Sequence, residues 1–259
     1  MYLNELEIAK KAAVMAGKAI MEVYESGDFG IEVKEDDSPL TLADKAANSI
    51  IVNLIREEFP SHAILSEEEK DDLSRLDNDL CFVIDPLDGT KEFIKQNGQF
   101  TVNIALSYRH RTVMGVIYVP VTGELYYAAK GHGSFMEENG KCMRLHVNSE
   151  DKQKSDLNVV MSNSHGAAEM DALIKKYGLK NYVKVGSSLK GCMIAKGAAD
   201  VYYRFGPTME WDTAAMQCIV EEAGGLLRQM DGTEMLYNRE DSLNRKGFYI
   251  LNRIENILE

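Results

Sequence analysis

Leu80-Cys81-Phe82-Val83-Ile84 is a continuous apolar run, and Asp85-Pro86-Leu87-Asp88-Gly89-Thr90 follows it directly. A short apolar run bounded by polar residues predicts a buried strand. Pro86 has no N–H to give to a ladder, so the strand is expected to stop at Asp85-Pro86. Two carboxylates, Asp85 and Asp88, then stand just past it, in a turn stiffened by Pro86 and freed by Gly89 to take an unusual dihedral. Their oxygens and the Leu87 carbonyl can converge on one point. Hard cations such as Mg²⁺ take such oxygen donors, with water and phosphate filling the remaining positions. A polar turn closed by Asx hydrogen bonds has the same composition, and spacing alone does not separate the two.

Upstream, Leu6, Ala9, Ala13, Ala16, Ile20 and Val23 make one apolar stripe at helical period, closed by Gly27. A second stripe, Ala43, Ala47, Ile50 and Leu54, is ended by Pro60. Downstream, 101–108, 113–119 and 125–129 are β-rich, and Asn139-Gly140 is a hairpin signal. Residues 1–154 are therefore expected to be helices packed on an antiparallel sheet, an α+β half. Segment 148–155 is polar and changes the rhythm. After it, strand-like 157–161, 182–185 and 201–205 alternate with helical 167–177, 188–196 and 212–223. That alternation predicts a layered α/β half over 155–259.

The chain has 259 residues, enough to bury a sizeable core as one large domain or two modest ones. Its 29 Lys+Arg against 41 Asp+Glu leave a net charge of −12. Such a balance argues against a nucleic-acid polymer or an anionic membrane surface as partner, since either needs a basic face. It also requires that an anionic substrate meet a locally positive site, made by cations or metal ions. The four cysteines show no metal spacing and read as free thiols of a reducing compartment. No basic flank precedes an apolar run at the N-terminus, and no apolar stretch approaches the ~18 residues of a spanning helix. A soluble cytoplasmic protein is expected.

Further motifs each carry two readings. Ser66-Glu67-Glu68-Glu69 follows the apolar Ala63-Ile64-Leu65, so Glu67 is either a carboxylate at a strand end or part of a solvated charge run. Trp211-Asp212-Thr213 opens the helix that ends at Gly224-Gly225, where Asp212 is a good N-cap. Gly186-Ser187-Ser188-Leu189-Lys190 passes from strand to helix and fits an anion at a helix N-terminus, or a serine cap beside a surface lysine. Ser162-Asn163-Ser164-His165 ends a strand in the same half, where ligands of α/β sheets gather. No GxxxxGK[ST], GxGxxG or GxSxG occurs.

Taken together, Thr41-Leu42-Ala43-Asp44, Ser66-Glu67-Glu68, Asp85 to Thr90, and Trp211-Asp212 with Glu222-Ala223-Gly224-Gly225 resemble the inositol monophosphatase superfamily of metal-dependent phosphatases, in order and spacing over nearly the whole chain. Met216 departs from the smaller residue expected after Trp-Asp, which bears on packing. Lys91-Glu92-Phe93-Ile94 and Gly186 to Lys190 are similar to the 3′(2′),5′-bisphosphate nucleotidase branch. The resemblance implies a layered α-β-α-β-α sandwich and lithium-sensitive hydrolysis of the 3′-phosphate of adenosine 3′,5′-bisphosphate, a by-product of sulfate activation. It implies two or three Mg²⁺ ions on Glu67, Asp85, the Leu87 carbonyl, Asp88 and Asp212. It assigns the nucleophilic water to Asp44 and Thr90, assisted by Glu67. Substrate contacts would come from Gly89, Thr90, His165, Gly186, Ser187, Ser188, Lys190 and Asp212. An inositol or sugar-phosphate phosphatase is the alternative within the class, and a silent nucleotide-binding regulator the alternative outside it. Peripheral association with the inner membrane is implied by resemblance only, because no basic amphipathic helix supports it. The sequence assigns no oligomeric state.

Overall fold

The structure, a computed structural model, describes residues 2–34, 38–163 and 168–259. Small side chains set the first layer. Ala9, Ala12, Ala13 and Ala16 of α1 (Leu3–Ser26) are fully buried, so that helix lies close to its neighbours. A short antiparallel ribbon, β1 (Glu32–Val33) with β2 (Pro39–Leu40), leads on to α2 (Leu42–Glu58). The buried face of α2 runs Ala43, Ala47, Ile51 and Ile55, with Ile50 and Leu54 half-buried beside it.

Both helices cover one face of a seven-stranded sheet whose strands lie in chain order. These are β3 (Ala63–Ser66), β4 (Leu80–Asp88), β5 (Thr101–Tyr108), β6 (Arg111–Val119), β7 (Glu124–Ala129), β8 (Gly133–Glu138) and β9 (Lys141–Arg144), with the short α3 (Thr90–Ile94) between β4 and β5. Only β3 and β4 run parallel; the rest form an antiparallel meander. Alternation along β5 sends Val102, Ile104 and Leu106 beneath α1 and α2, and Ala105 into the cluster on the opposite face. Asn139 and Gly140 form the β8–β9 turn with φ of 50 and 73, the two positive values a type I′ hairpin demands.

One expectation fails here. The strand does not stop at Asp85-Pro86 but continues to Asp88. Pairing with β5 passes from Asp85 opposite Asn103 to Asp88 opposite Thr101, so one extra residue is accommodated in a bulge. Pro86 sits inside that bulge, where its missing N–H breaks no ladder bond.

The second half contains β10 (Asn158–Ser162), α4 (Ala168–Tyr177), β11 (Asn181–Val185), α5 (Leu189–Ala195), β12 (Val201–Arg204), β13 (Thr208–Met209), α6 (Ala214–Glu222), β14 (Leu226–Gln229), β15 (Leu243–Asn244) and β16 (Phe248–Leu251). Five strands form a sheet in the order β11-β10-β12-β16-β14, parallel among the first three and antiparallel at β16. The antiparallel strands β14 and β16 extend the α/β rhythm beyond what periodicity predicted. Val160, Tyr202 and Ile250 meet α5 and α6 on one face, while Val159, Val201 and Tyr203 meet Met170 of α4 on the other. The layers are thus α, β, α, β and α. Met216 finds its room opposite Gly191, where a Cβ would stand 2.1 Å from the Met216 Cγ.

Of the two readings open to Asp212, helix capping is not the one the structure adopts. Helix α6 begins at Ala214 after Thr213, and the Asp212 Oδ2 instead accepts the Met209 N–H at 2.8 Å. The carboxylate is held two residues short of the helix and lines the interior cavity.

Candidate active site

The bulge that admits Pro86 also aims the acids. Asp85 Oδ1 accepts the Leu87 N–H at 3.1 Å, which closes the turn, and Gly89 then takes φ of 95 to start α3. A Cβ at position 89 would lie 3.1 Å from the Gln99 carbonyl as well as straining that dihedral. Asp85, Asp88 and Asp212 each bring a carboxylate oxygen to within 4.8 Å of the others. Burial raises the Asp85 carboxyl well above its ordinary value, helped by the charges of Glu67 and Asp88. Asp212 is pushed up to about 8, first by burial and then by Asp88. Among the described residues no lysine or arginine forms an ion pair with any of the three. Three crowded carboxylates, Asp85 buried and Asp88 and Asp212 half-buried, with no ion-pair partner among the described residues, fit a hard divalent cation.

Glu67 and Leu87 line the same cavity, of about 320 Å³. Glu67 follows the end of β3, and its Oε1 receives Lys34 at 2.8 Å, while Glu68 receives the same ammonium at 2.6 Å. Burial lowers the Lys34 pKa, but the two carboxylates outweigh it and the ammonium is held above its usual value. No sequence signal singled out Lys34, because its partners lie more than thirty residues away.

Asp44 is placed by a capping box. Its Oδ2 accepts the Thr41 N–H at 2.7 Å and the Thr41 hydroxyl, while Thr41 caps the first N–H groups of α2. Its other oxygen, Oδ1, accepts the Thr90 hydroxyl at 3.2 Å. Burial raises the Asp44 carboxyl, so it lies nearer the range in which it can take up a proton.

The Gly186–Lys190 segment splits between two tasks. Gly186, Ser187 and Lys190 line the cavity. The Gly186 N–H is already engaged by the Gln99 side chain at 2.8 Å, whereas the Ser187 hydroxyl is buried without a partner. Lys190 donates to the Ser187 carbonyl, and burial lowers its pKa to about 8. Ser188 turns to Asp88 at 2.7 Å. His165 lies outside the described residues. Arg204, which the sequence reading did not select, also lines the cavity and has a buried Nε without a partner. Its signal was available: it ends β12, at the edge where α/β sheets gather ligands.

A buried clasp holds the Asp212 segment. Glu210 is fully buried and accepts the Asn238 N–H at 2.6 Å and the Arg239 N–H and Nε at 3.0 Å each. Arg75, from the first half, donates to the Asn238 side chain and the Arg239 carbonyl, both at 2.8 Å. Arg239→Ala is expected to cost about 1.5–3 kcal/mol, because a charge-assisted bond to a buried carboxylate is lost. Urea unfolding measures that loss, and a change within error of zero would show the pair contributes nothing.

Residues 3–253 match the inositol monophosphatase family. The chain belongs to that family. It is 40% identical over 247 residues to the 3′(2′),5′-bisphosphate nucleotidase CysQ of Salmonella typhimurium, covering 95% of this chain and 98% of that one. A crystal structure of CysQ from Bacteroides thetaiotaomicron, described as a bacterial member of the inositol monophosphatase family, has a TM-score of 0.85 at 39% identity, covering 98% and 99% of the two chains. The Nus factor SuhB of Pasteurella multocida is 34% identical over 88% of this chain and 85% of that protein. Inositol monophosphatase family members are metal-dependent, in accord with the carboxylate cluster. Among the described residues no helix is long and apolar enough to cross a membrane.

Proposed function

We propose that this protein is a Mg²⁺-dependent 3′(2′),5′-bisphosphate nucleotidase that converts adenosine 3′,5′-bisphosphate to AMP and phosphate. One observation carries the reading: a single cavity holds the cation-type carboxylates together with Lys190 and Arg204. A monophosphate needs only the cation side. A second anionic group accounts for a buried lysine, an arginine Nε and a serine hydroxyl gathered in a chain of net charge −12. The name borne by the CysQ relatives, 3′(2′),5′-bisphosphate nucleotidase, supports a substrate of this class.

Asp85, Asp88 and Asp212, with Glu67 and the Leu87 carbonyl beside them, would hold two or three Mg²⁺ ions. Bound there, the cations would supply positive charge to the phosphoryl oxygens and would lower the pKa of a water. The chain does the rest. Thr90 donates a hydrogen bond from its hydroxyl to Asp44 and keeps its proton, so its lone pair is left to accept a water hydrogen and orient that water. As the water oxygen bonds to phosphorus, its proton passes to the Asp44 carboxylate. The bond from phosphorus to the ribose 3′ oxygen breaks, and that oxygen takes a proton from solvent. No serine, cysteine or histidine nucleophile is required. Lys190, Arg204 and Ser187 would hold the 5′-phosphate, with Gly186 and Gly89 leaving room for the sugar. This reading places the protein in the cytoplasm.

The direct test is phosphate release with Mg²⁺, with and without lithium. Adenosine 3′,5′-bisphosphate should give a higher kcat/KM than inositol 1-phosphate. The reverse order would make the protein an inositol phosphatase, and no release from any monoester would end the hydrolase reading. Lys190→Ala should lower kcat/KM for the bisphosphate roughly 10- to 150-fold more than for adenosine 3′-monophosphate, the size of one charge-assisted contact. Equal losses on both substrates would remove Lys190 from phosphate recognition.

A further inference from the structure

Ser188 stands one residue from the cavity-lining Ser187, yet its hydroxyl donates at 2.7 Å to Asp88 Oδ2. Asn103, on β5, donates its side-chain amide to the Ser188 hydroxyl at 2.6 Å and to the same Asp88 oxygen at 3.3 Å. The Asn103 Oδ1 in turn accepts the Thr101 hydroxyl at 3.0 Å. Ser188 and Asn103 are each 1% exposed and Thr101 is fully buried, so water does not compete. The directions are set by chemistry. Asp88 can only accept when ionised, which turns the Asn103 amide nitrogen and the Ser188 hydrogen towards it. Oδ2 is thereby occupied, and among the described residues no donor reaches Oδ1. The carboxylate plane is locked with one oxygen committed to the protein and the other left to the cavity.

We infer that Ser188 is a positioning residue for the cation site, and that it links this site to the phosphate-binding arm. The serine reaches Asp88 across a hundred residues of sequence, and it belongs to the turn that carries Gly186, Ser187 and Lys190. A ligand drawing that turn inward changes how Ser188 holds Asp88, and a cation fixing Asp88 steadies the turn. Linkage requires that each tighten the other by the same factor. The linkage half rests on the nucleotide reading; the cation half does not.

Calorimetric titration of the metal-free protein with Mg²⁺, alone and with saturating AMP, tests both halves. In Ser188→Ala the Mg²⁺ Kd without nucleotide should rise about 10-fold, the weight of one bond to a charged acceptor. The tightening of Mg²⁺ by AMP should shrink towards one, and Ser188→Thr, which keeps the hydroxyl, should restore both. Asn103→Ala should weaken Mg²⁺ in the same direction, giving an independent reading should Ser188→Ala unfold. An Mg²⁺ Kd within twofold of the parent in both alanine variants overturns the positioning role. Loss of AMP affinity with unchanged Mg²⁺ affinity makes Ser188 a nucleotide contact and overturns it equally. Failure of the parent to hydrolyse the bisphosphate would end the function proposed above while leaving the Mg²⁺ comparison, made without nucleotide, intact.

Discussion

Asp88→Asn should abolish detectable phosphate release while the fold survives. Asp88 is the centre of the carboxylate group: it lies within reach of Asp85 and Asp212, and its charge helps raise both of their carboxyls, second to burial for Asp212. Neutralising it removes a ligand where each oxygen counts, yet asparagine keeps the shape and can still accept from Ser188. Stability should move the other way. A carboxyl whose folded pKa is raised binds protons in the folded state that the unfolded chain has released. Its favourable contribution is therefore present at low pH and lost as pH rises through the folded value. For Asp212 the window runs from its ordinary 3.8 up to about 8. The metal-free parent should lose stability across that window, Mg²⁺ should suppress the loss, and Asp88→Asn should flatten it. Thermal melting from pH 5 to pH 8 with and without Mg²⁺ measures this. Parent-like turnover, or an unchanged pH slope in the variant, would remove Asp88 from the centre of the site.

The second large effect belongs to Asp44 and Thr90. Asp44→Asn should reduce kcat by about 10²–10⁴, the range for a lost general base. Helix α2 should remain, because an asparagine oxygen can still accept from the Thr41 backbone N–H. Thr90→Ala removes the 3.2 Å bond to Asp44 and should lower kcat more than it raises KM, the mark of an interaction made mainly in the transition state. Steady-state kinetics on both variants decides the matter. A pure KM effect at Thr90 would move it from orienting water to holding substrate.

Much of this was legible from local pattern. The stripe from Leu6 to Val23 is the buried side of α1, and Asn139-Gly140 makes the turn its composition demands. Turn chemistry and carboxylate spacing act over a few residues and made Asp85, Asp88 and Gly89 candidates, while the resemblance of four motifs in order separated a cation site from a polar turn. Where a long-range partner decided the outcome, the local reading went astray. The strand runs through Asp85-Pro86 because β5 accepts a bulge there, and register with a neighbouring strand is invisible in the run itself. Asp212 has the composition of an N-cap, but its carboxylate accepts the nearby Met209 N–H, and Met209 is placed by the pairing of β13 with the distant β15.

By itself the sequence determined the helical stripes, the alternating strands, the net charge that demands a cation-assisted anion site, and which acids are candidates to build it. Only the tertiary structure decided which of them meet and what holds them. Lys34 on Glu67, Ser188 on Asp88 and Arg75 on Asn238 join residues 33, 100 and 163 positions apart. Periodicity and propensity are set by backbone sterics within a turn or a strand. The partner of a buried charge is set by desolvation, which makes any unpaired group costly and so selects whichever donor the packed layers bring near.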